Sequence, residues 1–184
     1  MKRGSSAAIG LALLVAATAC ADPTPAPVPT PVPAQQRTTH GELCEAVARF
    51  FVNELGAVDV RAEPTIAAEM VIGGGTICEI DQGTNRIGYY SARSAPDEPD
   101  PTNRVEGFVR EPALGDAVWV YDLRADAANP STKVRFATRL EEWNATLEVV
   151  DTETRTATGA LRLSDEDKIA AVRVVRELTA GLTG

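Results

Sequence analysis

The sequence is poor in the residues from which most catalytic sites are built: one histidine and three cysteines in 184 residues. A serine or cysteine hydrolase would need that histidine, His40, beside a nucleophile and an orienting acid, and no G-x-S-x-G elbow is present to pair with it. His40 precedes an amphipathic stretch, where a solvated position at a helix start is expected. The Gly73–Gly75 triplet lacks the following Lys and Ser or Thr of a phosphate-binding loop, so a turn explains it. Positive charge is also scarce. Eighteen Lys and Arg oppose 26 Asp and Glu, giving a net charge of −8. Affinity for phosphate backbones rests on cation contacts that release counterions, so a nucleic-acid partner is excluded, and charge-driven docking on anionic headgroups is disfavoured. Asp97, Glu98 and Asp100 are spaced by prolines and form no EF-hand pattern, so they read as a solvated acidic loop. No metal and no cofactor is implied.

Long apolar runs are missing too. Ala7–Ala17 (AAIGLALLVAA) is eleven residues, which as a helix spans roughly 16 Å and falls short of a ~30 Å hydrocarbon core. With Lys2 and Arg3 in front and small residues behind, residues 1–19 read as a secretory signal peptide rather than an anchor. Ala17-Thr18-Ala19 before Cys20 fits ordinary signal-peptidase cleavage, which would yield a freely secreted protein. It also resembles the lipobox of bacterial lipoproteins, in which the cysteine after the cut is acylated. Ala17 stands where Leu is commonest. The tether that follows and the otherwise unpaired thiol of Cys20 favour the lipoprotein, whose acyl chains would anchor it on the extracytoplasmic face of the cell membrane.

Residues 20–38 form that tether. Six prolines alternate from Pro23 to Pro33 with almost no charge, and each fixes its own φ and extends its predecessor. At about 3.1 Å per residue the eighteen residues from Ala21 reach roughly 55 Å. This is a spacer that cannot build a core.

Residues 39–184 read as a single domain, since the length suits one core and not two. THGELCEAVARFFVNELG opens with a capping box, Thr39 with Glu42, and ends on Gly56, so a helix of about fifteen residues is expected. Strand-like segments follow at Glu69–Ile72, Thr76–Ile80, Arg86–Ala92, Val105–Arg110, Ala117–Leu123, Val134–Leu140 and Trp143–Val150. The triple glycine and the DQGTN at Asp81–Asn85 suit hairpin turns, and Ala95–Asn103 suits an exposed loop. A second helix begins at Ser164, an N-cap with Asp167 three residues on, and Ile169, Val172, Val175, Leu178 and Leu182 recur along one face. The class is α+β: an antiparallel β-sheet covered by N-terminal and C-terminal helices.

With Cys20 assigned to the anchor, Cys44 and Cys78 remain in an oxidising compartment, where leftover cysteines pair. A bridge would staple the first helix to a strand. The rival reading, a catalytic or metal-binding thiol, lacks a second Cys or His at ligand spacing.

The order of Cys20, proline-rich stalk, LCEAVARFF with Cys44, GGGTICEI with Cys78 and the terminal helix from Ser164 resembles an actinobacterial cell-envelope lipoprotein family with a domain of unknown function. The chain departs from it in having Glu79 and Ile80 where the family often carries a tryptophan. The resemblance covers nearly the whole chain and implies a PsbP-like α/β/α sandwich with a binding or accessory role and no catalysis. Fifteen arginines against three lysines are compatible with a GC-rich genome.

Trp119, Tyr121, Phe136 and Trp143 alternate with polar neighbours on the expected strands, as core residues or as the lining of a ligand groove. Asn144-Ala145-Thr146 matches a glycosylation sequon. Three functions compete: a membrane-tethered binding or accessory module for an unknown envelope protein, a lipid or glycolipid carrier with a cavity between sheet and helix, and an envelope hydrolase. The residue inventory supports the first best and the last least.

Overall fold

The computed structural model describes residues 37–125 and 131–183. The expected signal peptide, Cys20 and the stalk as far as Gln36 lie outside the described residues.

Helix α1 (His40–Asn53) starts where the sequence places its cap. The Thr39 hydroxyl accepts from the Glu42 N–H at 3.2 Å, and the Glu42 carboxylate accepts from the Thr39 N–H at 2.9 Å. Two further N-terminal N–H groups are satisfied by a loop: His40 donates to the Met70 carbonyl and Gly41 to the Ala68 carbonyl. A Cβ at Gly41 would stand 3.0 Å from that Ala68 oxygen, which explains the glycine. Leu43, Cys44, Val47, Phe50 and Phe51 form the buried face. The helix closes at Gly56, whose φ of +67° lets the Ala57 N–H turn back to the Phe51 carbonyl.

Seven strands form one antiparallel sheet: β1 (Val60–Pro64), β2 (Gly75–Gln82), β3 (Asn85–Ser94), β4 (Val109–Arg110), β5 (Val118–Asp122), β6 (Lys133–Leu140) and β7 (Trp143–Val150). Their order is β1-β2-β3-β7-β6-β5-β4, so two meanders meet where β3 pairs with β7. A small hairpin, β8 (Arg155–Thr156) with β9 (Gly159–Ala160), precedes α2 (Asp165–Ala180).

Four expectations need correction. Glu69–Ile72 is not a strand but the loop that closes over the start of α1, touching it through a Thr39–Val71 bridge. The first strand lies earlier, in VRAEP, where charges and a proline hide it. An edge strand tolerates both, and Arg61, Glu63 and Pro64 guard that edge against further pairing. Val105–Arg110 shortens to Val109–Arg110. The triple glycine makes no hairpin. Its last residue opens β2, and the β2–β3 turn uses Gly83, φ +64°, in the DQGTN segment.

Cross-strand partners point to one face, so the Cys44–Cys78 disulfide fixes the orientation of the whole sheet. Cys78 pairs with Tyr90, Tyr90 with Leu147, Leu147 with Phe136, and Phe136 with Val120. This row faces the helices and is the centre of the core. Helix α1 packs on β1 and β2, helix α2 packs on β6 and β7, and the two helices touch. The Tyr90 hydroxyl lies 3.3 Å from that of Thr179 on α2, and burial raises its pKa despite that bond. Both helices therefore cover the same face. Among the described residues no helix covers the other, where the resemblance implied a third layer; a connection, residues 95–108, lies there instead.

The α2 cap is also as read, with Ser164 and Asp167 bonded reciprocally. Its buried stripe is Ala171, Val172, Val175 and Thr179. Ile169, expected in that stripe, is 55% exposed because at the start of α2 it faces a groove beside the short edge strand β4.

Two measurements test this packing. A Cβ on Gly88 would fall 2.4 Å from the Phe51 ring and 2.5 Å from the Glu148 carbonyl. Gly88→Ala should therefore cost about 1–3 kcal/mol or more in a urea melt, as overpacked core sites do, while Gly74→Ala, with nothing within 4 Å, should leave the midpoint nearly unchanged. Replacing both Cys44 and Cys78 by alanine opens a loop with a sequence separation of 34 and should cost roughly 3–4 kcal/mol by loop entropy. A loss under about 1 kcal/mol would show that the bridge constrains little.

Candidate functional site

The face of the sheet away from the helices is built by the alternate residues of the same strands. One row runs Ile77, Ser91, Thr146, Ala137 and Trp119; the next runs Glu79, Tyr89, Glu148, Arg135 and Tyr121. Both continue across five strands, and the 95–108 connection lies over them.

That connection is strapped down by polar groups. Arg139 Nη1 donates to the carbonyls of Ala95 and Glu98 at 3.1 and 2.8 Å and to Asn144 Oδ1 at 2.9 Å. Asn144 Nδ2 donates to the Glu98 carbonyl at 2.7 Å. Arg93 Nη2 reaches the Glu98 carboxylate at 2.5 Å and also the Asn103 side chain. The Asp100 carboxylate accepts from the Thr102 hydroxyl and N–H, which holds its pKa below the usual range. Ala95, Pro101 and Thr102 are buried, so the stretch expected to be an exposed loop is half packed. Of the acidic residues read there as solvated, Glu98 pairs with Arg93 of β3 and Asp100 with Thr102 in the strap, while Asp97 is exposed. Among the described residues no group of three His, Cys, Asp or Glu is placed to hold a metal ion.

Between the strap and strands β2, β3 and β7 lies a groove of about 480 Å³. Ile66, Ile77 and Pro101 give it apolar walls, and Ser91, Arg93 and Thr146 line it with polar groups. This is the size range of small-molecule sites. The Ser91 and Thr146 hydroxyls have no hydrogen-bond partner among the described residues, so they stand available to a ligand. The arrangement can hold a mostly neutral group with one or two hydrogen-bonding atoms.

Beside the groove, Glu148 is 1% exposed and paired with Lys133 at 3.0 Å and Arg135 at 2.7 Å. Burial works against the Arg135 charge, but the bond to Glu148 and the nearby charges of Tyr89, Glu148 and Tyr121 together outweigh it and its pKa is raised. Burial likewise raises the pKa of the neighbouring Tyr89. At the far end of the strands, Asp151 accepts from Arg124 at 2.6 Å and from the Leu163 N–H at 3.1 Å, fastening the 3-10 turn Leu123–Ala125 and the entry to α2. Arg124 also binds Asp122 at 2.6 Å and, by that hydrogen bond, lowers the Asp122 pKa.

The four aromatic residues named from the sequence are not brought together. Phe136 and Trp143 are in the helix-facing core at 0% and 5% exposure, whereas Trp119 and Tyr121 are half-buried on the opposite face. Tyr121 lies against Phe108 with ring centroids 5.6 Å apart. Cys44 and Cys78 are bonded as expected, and Cys20 is outside the described residues. His40, expected in solvent, is 3% exposed: the loop over α1 covers it, and its Nδ1 lies 2.8 Å from the Thr76 hydroxyl. Asn144 is 4% exposed with its amide engaged at both ends, which removes the sequon as a modification site in the folded chain. Sequence reasoning missed Ser91, Arg93, Arg139, Asn144 and Thr146. The usable signal was the alternation in NATLEVV, where Asn144, Thr146 and Glu148 mark one face.

Asn144→Ala should remove one of the two donors to the Glu98 carbonyl and one of the three acceptors of Arg139 Nη1. A loss of about 1–3 kcal/mol, with faster amide exchange confined to residues 98–103, is the expected result. The Asp122 carboxyl is lowered below its ordinary value of 3.8. Its contribution to stability is thus complete above that value and lost as pH falls through the folded one. The stability gap between wild type and Asp122→Asn should close between about pH 5 and pH 2. A gap that persists unchanged in acid would refute the pairing with Arg124.

The chain matches no family model, no curated protein and no solved structure.

Proposed function

We propose that this protein is an extracytoplasmic lipoprotein whose domain is a non-catalytic binding or accessory module, with the strap groove as its recognition site. In this reading residues 1–19 are a signal peptide, Cys20 carries the lipid anchor, and the proline-rich stretch to Thr38 is the spacer. The observation that carries it is the buried Cys44–Cys78 bridge. Such bonds persist in oxidising compartments and are rare in the cytosol of mesophiles, which agrees with an exported chain and leaves Cys20 as the one cysteine for acylation.

The groove supports binding over catalysis by its groups: hydroxyls and one ion-paired arginine, with the sole histidine turned onto Thr76. A carrier with a cavity between sheet and helices is less well supported, because Phe51, Tyr90, Phe136 and Leu147 fill that interface at 0% exposure.

Cys20→Ser tests the anchor. The wild-type chain should enter the detergent phase of a phase-partition experiment, and the variant should appear in the medium. Equal solubility of the two would refute the lipid anchor. For the groove, Thr146→Trp should fill it without touching the core; loss of a co-purifying ligand, read by mass spectrometry of an organic extract, is the expected effect, and retention of that ligand would place recognition elsewhere.

A further inference from the structure

A second groove, of about 680 Å³, lies at the sheet edge where β4 and β5 meet the start of α2. The two most exposed large hydrophobic side chains among the described residues line it together, Val109 at 65% and Ile169 at 55%. Leu114 and Val120 form its half-buried floor. Strand β4 stops after two residues, and among the described residues nothing covers either side chain. Apolar surface of this kind, rimmed by polar groups, marks interaction sites.

The rim is acidic. Glu111, Asp122 and Asp165 face it, and Lys168 is the single cation among its described lining residues. Lys168 leans onto Asp165 at 3.2 Å, and the Arg124 behind Asp122 is shared with Asp151. On the rim itself three carboxylates face one lysine, and Glu111 carries no salt bridge among the described residues. The geometry points to a docking surface for a partner-protein segment that presents apolar anchors flanked by Lys or Arg. Charge complementarity selects this occupant. A second copy of a chain carrying −8 would bring the same acids against the rim, and an anionic bilayer would be repelled.

The probe is a short amphipathic peptide with leucines on one face and lysines on the other, paired with a glutamate counterpart and titrated onto the Cys20→Ser chain. The lysine peptide should bind, weaken as salt is raised, and weaken about tenfold or more with Ile169→Glu or Val109→Glu. Both positions are exposed, so unchanged thermal melting should accompany each variant. Ile77→Glu, in the strap groove, should leave peptide binding unaltered. Failure of the lysine peptide to bind, equal binding of the glutamate peptide, or indifference to Ile169→Glu would overturn the proposal. A dimer that Ile169→Glu dissociates would overturn it in favour of a second copy.

Discussion

The fastening of α1 to β2 is the constraint on which the rest of the structure depends. It is made twice, by the Cys44–Cys78 bond and by the His40–Thr76 contact one turn earlier in the helix and two residues earlier in the strand. Together they hold the strand in one register against the helix. Because side chains alternate, fixing Thr76 and Cys78 toward α1 sends Ile77 and Glu79 the other way. Pairing then passes the assignment through Ser91 and Thr146 to Ala137 and Trp119. The floor of the strap groove is therefore set on the opposite side of the sheet from the bond that sets it.

The polar groups on that far face are engaged rather than merely exposed. Asn144 and Arg139 exchange solvent for strap carbonyls, and Glu148 gives up water for two cations. Each bond is individually modest, near 1 kcal/mol for neutral pairs, yet leaving one buried partner unmet costs more than the bond contributes. No buried side-chain polar atom is left without a partner among the described residues. The consequence is a strap held in place by the sheet, with hydroxyls of Ser91 and Thr146 left over as the groups a ligand can use.

How much of this was legible in the sequence follows from where the information is local. Both helices were readable, caps included, because a capping box is written within four residues. Strands β2, β3, β5, β6 and β7 were readable from their β-branched and aromatic runs. Strand β1 was not, since VRAEP owes its pairing to the neighbouring β2 and not to its own propensity. The burial of His40 depends on a loop some thirty residues away, and the strap depends on contacts between residues 93–103 and 139–144. Such long-range contacts leave no local mark. The aromatic residues misled for the same reason: alternation places them on a strand but does not say which face is covered, so Phe136 and Trp119 looked alike and fell on opposite sides.

Intact-mass alkylation in denaturant tests the fastening most directly, on the protein purified without reductant. Neither Cys44 nor Cys78 should take up iodoacetamide, and both should do so after reduction. Alkylation of both before reduction would contradict the covalent link between α1 and β2, and would remove the structural observation that supports the proposal of export.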